Sequence, residues 1–217
     1  MEYGLHPSKE LVELFRSRPF QGQHPKKAKI LFFGVDANYS ALISNHQFFN
    51  RILEYQKDLV AFWKKHGRHH PFILDEYPFN KTKDGVPYHR NFSKLGLNKE
   101  FAEAISFVEL LDVPTVGNSN DVGFWKLFNP RHADWLDSIL TSDLKKLIFV
   151  SNDVLKKMRK IRKIWGYFNW LPGENANGLL CSAGASRVYK IPHFSSYGIH
   201  AQTDTIRELV TRFCVAT

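Results

Sequence analysis

Polar side chains that could carry out acid–base chemistry follow predicted strands at separate points of the chain. Asp36 and Asn38 come directly after the apolar run at 30–35, and His193 follows the predicted strand at 187–192. Ligands of open parallel sheets bind beyond the carboxyl ends of the strands, so we expect these side chains to converge. Asp36 could act as a general base or stabilise positive charge. His193 could donate a hydrogen bond or a proton to an oxygen that gains charge.

Other polar residues are expected at the same edge of the sheet. They are Asp112 and Thr115 after the run at 105–111, Ser151 and Asn152 after the run at 146–150, and Ser195 and Ser196 beside His193. A purely structural interpretation stands beside the chemical one. In it, Asp36 and Asn38 form Asx turns or cap helices, and His193 packs near Pro192.

The elements that must position these residues follow from the apolar pattern. The four segments named above are predicted strands. Helices are predicted from the cap Ser8 to before Pro19, at 48–66, about 90–95, 124–140 and 154–165, and from the cap Asp204 to Phe213. This alternation predicts an α/β fold of three layers (αβα) around a central, mostly parallel four-stranded sheet. At 217 residues, the chain is expected to form a single domain over 1–217.

Composition narrows the class of partner. The formal net charge is +9 and the isoelectric point is about 9.5, which favours a polyanion such as DNA. Cys181 and Cys214 have no His or Cys at zinc-ligand spacing, so neither a disulfide framework nor a metal site is indicated. No run reaches the length of a membrane span, and a cytoplasmic protein is expected, associated with the nucleoid if bacterial. Nothing indicates a cofactor, a membrane or an obligatory protein partner.

A long connection separates the first two predicted strands. Residues 67–89 are rich in Pro, Gly, His and aromatic residues, which predicts a long functional loop. Its aromatic side chains, Phe79 and Tyr88 among them, could also pack beneath the loop.

Three motifs, met in order after predicted strands, resemble those of the uracil-DNA glycosylase superfamily. GVDANY at 34–39 is similar to the first family motif, a glycine, any residue, an acid or amide, and a proline. HRNFSKLGL at 89–97 with ISFVELLDVPTVGN at 105–118 resembles the middle of the mismatch-specific thymine/uracil branch. HFSSYGIH at 193–200 resembles the His-Pro-Ser-Pro-Leu motif. The resemblance covers most of the chain from Ile30 to Phe213, with an inserted segment at about 41–88.

The resemblance implies a monofunctional DNA N-glycosylase of base excision repair that flips a deaminated or damaged base out of the helix. Asp36 would fall on the water-activating position and His193 on the position that stabilises the departing base. The base would be bound by Asn38, Phe79, Tyr88, Asp112 and Asn152. Ser195, Ser196, Tyr197, Lys156 and Arg159 would contact DNA, with Tyr197 at the tip that fills the gap left by the flipped nucleotide.

Two points stay open at this stage. Glu109, Asp112 and Asn152 compete for the position that reads the base edge, so uracil, hypoxanthine and xanthine are all possible substrates. Ala37 and Phe194 replace prolines of the family motifs, which motivates an alternative, a catalytically silent nucleic-acid-binding protein of the same fold. A third alternative is an α/β protein acting on nucleotides or small phosphates, although the chain has no P-loop or dinucleotide fingerprint.

Overall fold

The computed structural model describes residues 2–172 and 178–215. Its strands are β1 (Gly4–Leu5), β2 (Phe20–Gly22), β3 (Ile30–Gly34), β4 (Ala37–Asn38), β5 (Ile105–Glu109), β6 (Pro114–Val116), β7 (Leu147–Val150), β8 (Gly178–Ala183) and β9 (Ser186–Lys190). Its helices are α1 (Lys9–Ser17), α2 (Phe49–Lys57), α3 (Leu59–His66), α4 (Val86–Ser93), α5 (Asp121–Leu127), α6 (Pro130–Leu140), α7 (Asn152–Trp165) and α8 (Thr203–Val215). Short 3-10 turns lie at Ile43–Asn45, Pro71–Ile73, Lys99–Phe101 and Tyr197–Gln202.

The main sheet is mixed and has six strands in the order β2-β5-β3-β7-β9-β8. The inner strands β5, β3, β7 and β9 pair in parallel, whereas β2 and β8 pair antiparallel at the two edges. The α/β class is confirmed, but the predicted count of four strands is wrong. The edge strands escaped prediction because β2 has only three residues, and strands at an edge need no continuous apolar run.

Helices cover both faces of this sheet. In β3, Ile30 and Phe32 point into a core shared with α1, α2, α3, α4 and α8, while Leu31 and Phe33 point into a second core shared with α5, α6 and α7. All five residues of β3 are buried. Burial on both faces explains why this strand is an uninterrupted apolar run in the sequence.

Two predicted helices are each divided in two. The helix predicted at 48–66 breaks at Asp58, whose side chain accepts a hydrogen bond from the Ala61 amide at 3.0 Å and so begins α3. The helix predicted at 124–140 breaks at Asn129, which caps α6 ahead of Pro130. Proline suits the first turn of a helix and interrupts a longer one, so the second break follows from Pro130.

A small three-stranded sheet has the order β1-β6-β4, and it includes β4, which follows β3, and β6, which follows β5. Strand β1 pairs antiparallel with β6, and β4 pairs parallel with β6. This sheet joins the N-terminal segment to the loops that follow β3 and β5. Within the described ranges, no helix is long and apolar enough to cross a lipid bilayer.

Candidate active site

A cleft of about 670 Å³ opens at the carboxyl ends of the parallel strands. Asp36 after β3, Glu109 at the end of β5 and His193 after β9 all line it. The volume is in the range of small-molecule sites, which is enough for a nucleobase. The expected convergence of Asp36 and His193 is therefore present in the structure.

Asp36 is held by two hydroxyl donors on one of its carboxylate oxygens. Tyr3 Oη donates to Asp36 Oδ2 at 2.9 Å, and Thr115 Oγ1 donates to the same oxygen. Burial, and then the negative charge of Asp36, raise the pKa of Tyr3, so that this phenol stays protonated and can donate. Among the described residues, Oδ1 accepts no hydrogen bond, which leaves that oxygen available to a ligand or a water molecule in the cleft.

Asn38 supports this arrangement from the neighbouring strand β4. Its Nδ2 donates to Thr115 Oγ1 at 3.1 Å and to the Gly117 carbonyl at 2.9 Å. The Thr115 hydroxyl accepts from Asn38 and donates to Asp36, so its single proton is directed at the carboxylate. Asn38 lines the cleft, but its amide donors are engaged in positioning Thr115 rather than left free for a ligand.

The imidazole of His193 is oriented by its own loop. The Ser195 amide donates to His193 Nδ1 at 3.2 Å, which makes Nδ1 an acceptor and assigns the proton of the neutral ring to Nε2. Burial lowers the pKa of His193, an effect opposed by the charges of Asp153 and Asp36. His193 is therefore a neutral ring whose Nε2–H group can donate a hydrogen bond.

Phe194 anchors the loop that carries His193. Its side chain is buried, with its ring centroid 5.8 Å from that of Phe32 and 5.5 Å from that of Phe92. The Asn91 side chain donates to the Phe194 carbonyl at 2.6 Å. These contacts fix the loop at the position where the glycosylase motif that the sequence resembles has a proline.

Glu109 is a buried carboxyl group at the cleft. Its Oε2 is buried without a hydrogen-bond partner among the described residues, while the residue retains surface in the cleft. Burial, with a smaller contribution from the charge of Asp36, raises the pKa of Glu109 well above its ordinary value. Burial therefore favours the protonated form of Glu109, in which the carboxyl group can both donate and accept a hydrogen bond.

Stacked imidazoles form another wall of the cleft. The rings of His70 and His89 are nearly parallel, with centroids 3.6 Å apart and 13° between their planes. His69 lies behind them, with its Nε2 3.2 Å from His89 Nδ1. Burial lowers the pKa of all three, to about 3 for His69. The wall is consequently flat and uncharged at neutral pH.

Tyr88 is the one predicted stacking residue that lines the cleft. Its ring centroid lies 5.3 Å from that of His193 and 5.1 Å from that of Phe194. Phe79 lies outside the cleft, where its ring contacts Tyr77 at 5.8 Å and His46 at 5.6 Å. Its packing role is thus the one seen in the structure.

Lys83 and Asp84 belong to a turn of the long connection that closes over the cleft. The Gly85 amide donates to the Asn38 carbonyl at 3.1 Å, which fastens this turn to β4. Asp84 has a positive φ of 55°, a conformation that Asp and Asn tolerate better than most residues. The predicted functional loop therefore contributes to the cleft directly.

Several other predicted site residues lie outside the cleft. Asp112 accepts a hydrogen bond from Asn129 Nδ2 at 2.7 Å, which commits it to the start of α6, and Asn152 is an exposed first residue of α7. Neither residue is among those that line the cleft. Lys156 is exposed on α7, and Arg159 is partly buried there.

The predicted DNA-contacting loop is divided between the cleft and the surface. Ser195 lines the cleft, whereas the Ser196 hydroxyl donates to the His193 carbonyl at 2.7 Å and stabilises the turn. Tyr197 is 90% exposed. A side chain so exposed, directly after the cleft-lining loop, is free to contact a large partner.

Sequence reasoning missed Tyr3 and the histidine wall. Tyr3 has no motif around it, and only the pairing of β1 with β6 brings it to Asp36. His70 and His89 did carry a signal, because the pattern His-His-Pro-Phe at 69–72 is unusual in a loop. Among the described residues, no three His, Cys, Asp or Glu side chains are arranged to hold a metal ion.

A scan against protein-family models and a search of curated proteins gave no match for this chain. The function is accordingly argued from the geometry of the cleft.

Proposed function

We propose that this protein is a DNA N-glycosylase with the fold of the uracil-DNA glycosylase superfamily, and that it hydrolyses the glycosidic bond of a flipped, deaminated base. One observation carries the proposal. Asp36, with Oδ1 free, and His193, with Nε2–H as a donor, reach the same cleft from the ends of two different strands. If a base were held between them, Asp36 Oδ1 would lie near its sugar, and His193 Nε2–H would donate a hydrogen bond to its oxygen.

The two side chains suit the two charges that develop as the bond breaks. Electrons move onto the departing base, and the Nε2–H of His193 would stabilise the oxygen that gains them. Positive charge grows on the sugar, where Asp36 Oδ1 would stabilise it and orient the attacking water. Tyr3 and Thr115 hold Oδ2, so Asp36 needs no rearrangement before it acts.

Glu109 is the residue best placed to read the base edge, in place of Asp112 and Asn152. An ionised carboxylate could only accept, but a protonated carboxyl can pair with the adjacent N–H and C=O of uracil, hypoxanthine or xanthine. The raised pKa of Glu109 supports this form. Tyr88, His70 and His89 would provide flat surfaces beside the base.

Charge in the cleft favours a neutral ring over a phosphate group. Lys83 is the one lysine or arginine among the lining residues, alongside the acids Asp36, Asp84 and Glu109. Phosphates would therefore remain outside, near the basic surface of a chain that carries a net charge of +9. This argues against the alternative of an enzyme that binds small phosphates in the cleft. Tyr197 would fill the gap in the duplex.

The test is excision from synthetic DNA. Purified protein is incubated with single-stranded and duplex oligonucleotides that carry uracil, hypoxanthine or xanthine, and alkali-labile breaks are measured. We expect breaks with at least one of these bases. Absence of breaks with all three bases, in both single-stranded and duplex DNA, would refute the proposed glycosylase activity.

Asp36→Asn distinguishes the enzyme from a silent binding protein of the same fold. For an enzyme, the substitution should reduce turnover by roughly 10²- to 10⁴-fold and leave oligonucleotide affinity nearly unchanged. Asp112→Asn is the matched control, because this aspartate faces Asn129 instead of the cleft. Equal losses from both substitutions would contradict the assigned role of Asp36.

A further inference from the structure

An aromatic cluster lies on the surface between α5 and α7, away from the cleft-lining residues. The indoles of Trp125 and Trp165 have centroids 6.0 Å apart with 22° between their planes, and Phe128 lies 4.9 Å from Trp165. Trp165 is 37% exposed. Trp165 is thus supported by two aromatic rings while part of its surface remains open.

Lysines are contiguous with this cluster. Lys160 Nζ lies 4.6 Å from the centroid of Trp125, and Lys156, Lys160 and Lys163 are exposed on α7. Spacings of four and three residues place the three lysines on one face of the helix. Their charges therefore line one side of α7, next to the aromatic rings.

These charges are not consumed by ion pairs within the molecule. Lys157 pairs with Asp121 at 2.8 Å, but within residues 2–172 and 178–215 Lys156, Lys160 and Lys163 form no ion pair. Lys163 also lies in the last turn, where a cation complements the helix dipole. The exposed ammonium groups of Lys156, Lys160 and Lys163 are therefore available to a negatively charged partner.

We propose that this α7 surface, formed by Lys156, Lys160, Lys163 and Trp165, binds single-stranded nucleic acid. Phosphates would lie along the lysines, and an unpaired base would stack on Trp165. Single strands combine a regular negative charge with flat rings that are free to stack, and proteins that bind them use positive grooves with aromatic platforms. An acidic protein segment would match the lysines but supply no regular flat ring.

The surface is separate from the cleft, and its length sets how many nucleotides it could bind. The surface runs along α7 from Lys156 to Trp165 and so spans about 14 Å, the rise of roughly four nucleotides. Ser151, which caps α7, follows β7 at the cleft edge of the sheet, while Trp165 ends the helix. The inference does not depend on glycosylase activity, because neither Asp36 nor His193 takes part in this binding.

Fluorescence anisotropy with labelled, undamaged oligothymidylates of four, eight and twelve nucleotides tests the inference. We expect binding to level off by eight nucleotides and to exceed binding of a blunt duplex. Trp165→Ala should weaken binding about tenfold or more, in line with the loss of one stacked base, and Trp165→Phe should restore part of it. Failure of the wild-type protein to bind these oligonucleotides would overturn the proposal and leave an acidic protein partner as the occupant to seek.

A triple substitution examines the lysines. Lys156→Gln, Lys160→Gln and Lys163→Gln together should lower the slope of log affinity against log salt by about two. The matched control places the same three changes on exposed lysines of the other layer, at Lys9, Lys57 and Lys99, and should leave the slope unchanged. Equal slopes for the two triple variants, or wild-type affinity in a folded Trp165→Ala protein, would also overturn the proposal.

Discussion

The carboxyl group of Glu109 occupies the space beside Gly34 where any other residue would carry its β-carbon. A β-carbon at Gly34 would lie 1.9 Å from Glu109 Oε2 and 2.6 Å from its carboxyl carbon. Strands β3 and β5 pair Gly34 with Glu109. The glycine is thus what allows a carboxyl group to lie flat on the sheet at the floor of the cleft.

Gly34→Ala should displace that carboxyl group. The added methyl group would take the place of the carboxyl end of Glu109, which is the far end of a flexible side chain and can rotate away. We therefore expect a loss of excision that exceeds any change in the free energy of unfolding in urea. Gly4→Ala is the control, because nothing lies within 4 Å of a β-carbon there. Equal losses of excision from the two changes would contradict the contact.

Glu109→Gln should stabilise the protein increasingly as the pH rises. The raised pKa of Glu109 means that the folded state keeps the proton while the unfolded chain releases it. The contribution of this group to stability is therefore complete below its ordinary pKa of 4.5 and is lost as the pH rises toward the folded-state pKa. Glutamine is neutral and similar in shape, so the difference in melting temperature between variant and wild type should grow as the pH rises above about 4.5.

Glu13→Gln, which removes an exposed carboxylate from α1, controls for the change in net charge. A melting-temperature difference for Glu109→Gln that does not grow with pH would show that the carboxyl is ionised in the folded protein. The same variant also separates two effects on the reaction. If Glu109 reads the base edge, Glu109→Gln should change the preference among uracil, hypoxanthine and xanthine rather than abolish excision.

Acid should destabilise the protein through its buried histidines. Burial lowers the pKa of His69, His70 and His89 below the ordinary value of 6.5. The unfolded chain takes up these protons first, so stability is complete above pH 6.5 and falls as the pH drops toward the folded-state values. His69→Gln keeps a side-chain amide in reach of His89 and should make the fall in melting temperature shallower. His200→Gln, on an exposed histidine, should leave the slope as it is in the wild type.

Tyr3→Phe should impair the reaction and also lower the stability of the fold. It removes one of the two donors to Asp36 Oδ2, and a hydrogen bond to a charged group contributes about 1.5–3 kcal/mol. We expect kcat to fall about tenfold or more with little change in KM, because Asp36 loses orientation rather than ligand contact.

Tyr77→Phe is the matched control, because it also removes a phenol hydroxyl but breaks no hydrogen bond within the described ranges. The Tyr77 hydroxyl is buried without a partner among the described residues, so its removal should leave stability unchanged or raise it. A fall in kcat with Tyr77→Phe as large as with Tyr3→Phe would mean that the effect is not transmitted through Asp36.

The inner strands of the main sheet could be predicted from the sequence, because a strand that is buried on both faces is a continuous apolar run. Strands β3, β5 and β7 are mainly apolar runs, β9 alternates polar with apolar residues, and the residues that follow β3 and β9 meet in the cleft as expected. Apolar periodicity misses the edge strands β2 and β8, because they lack a continuous apolar run. It also misses the helix breaks at Asp58 and Asn129, because these depend on side-chain capping.

The candidate site was predictable only where its residues follow a strand. Asp36 and His193 do, and both line the cleft. Asp112 also follows a strand, but the competing hydrogen bond to Asn129 turns it away. Tyr3 belongs to the site through a pairing between strands far apart in sequence, which no local pattern can reveal.

The small sheet β1-β6-β4 has a consequence for how the protein matures. Its three strands come from residues 4–5, 37–38 and 114–116, and Tyr3, Asp36 and Thr115 meet only once all three are paired. A fragment that ends before Thr115 would contain Tyr3, Asp36 and Asn38 and still have no assembled carboxylate site. During synthesis, the chain would thus lack this site until Thr115 has been added, about 80 residues after Asp36.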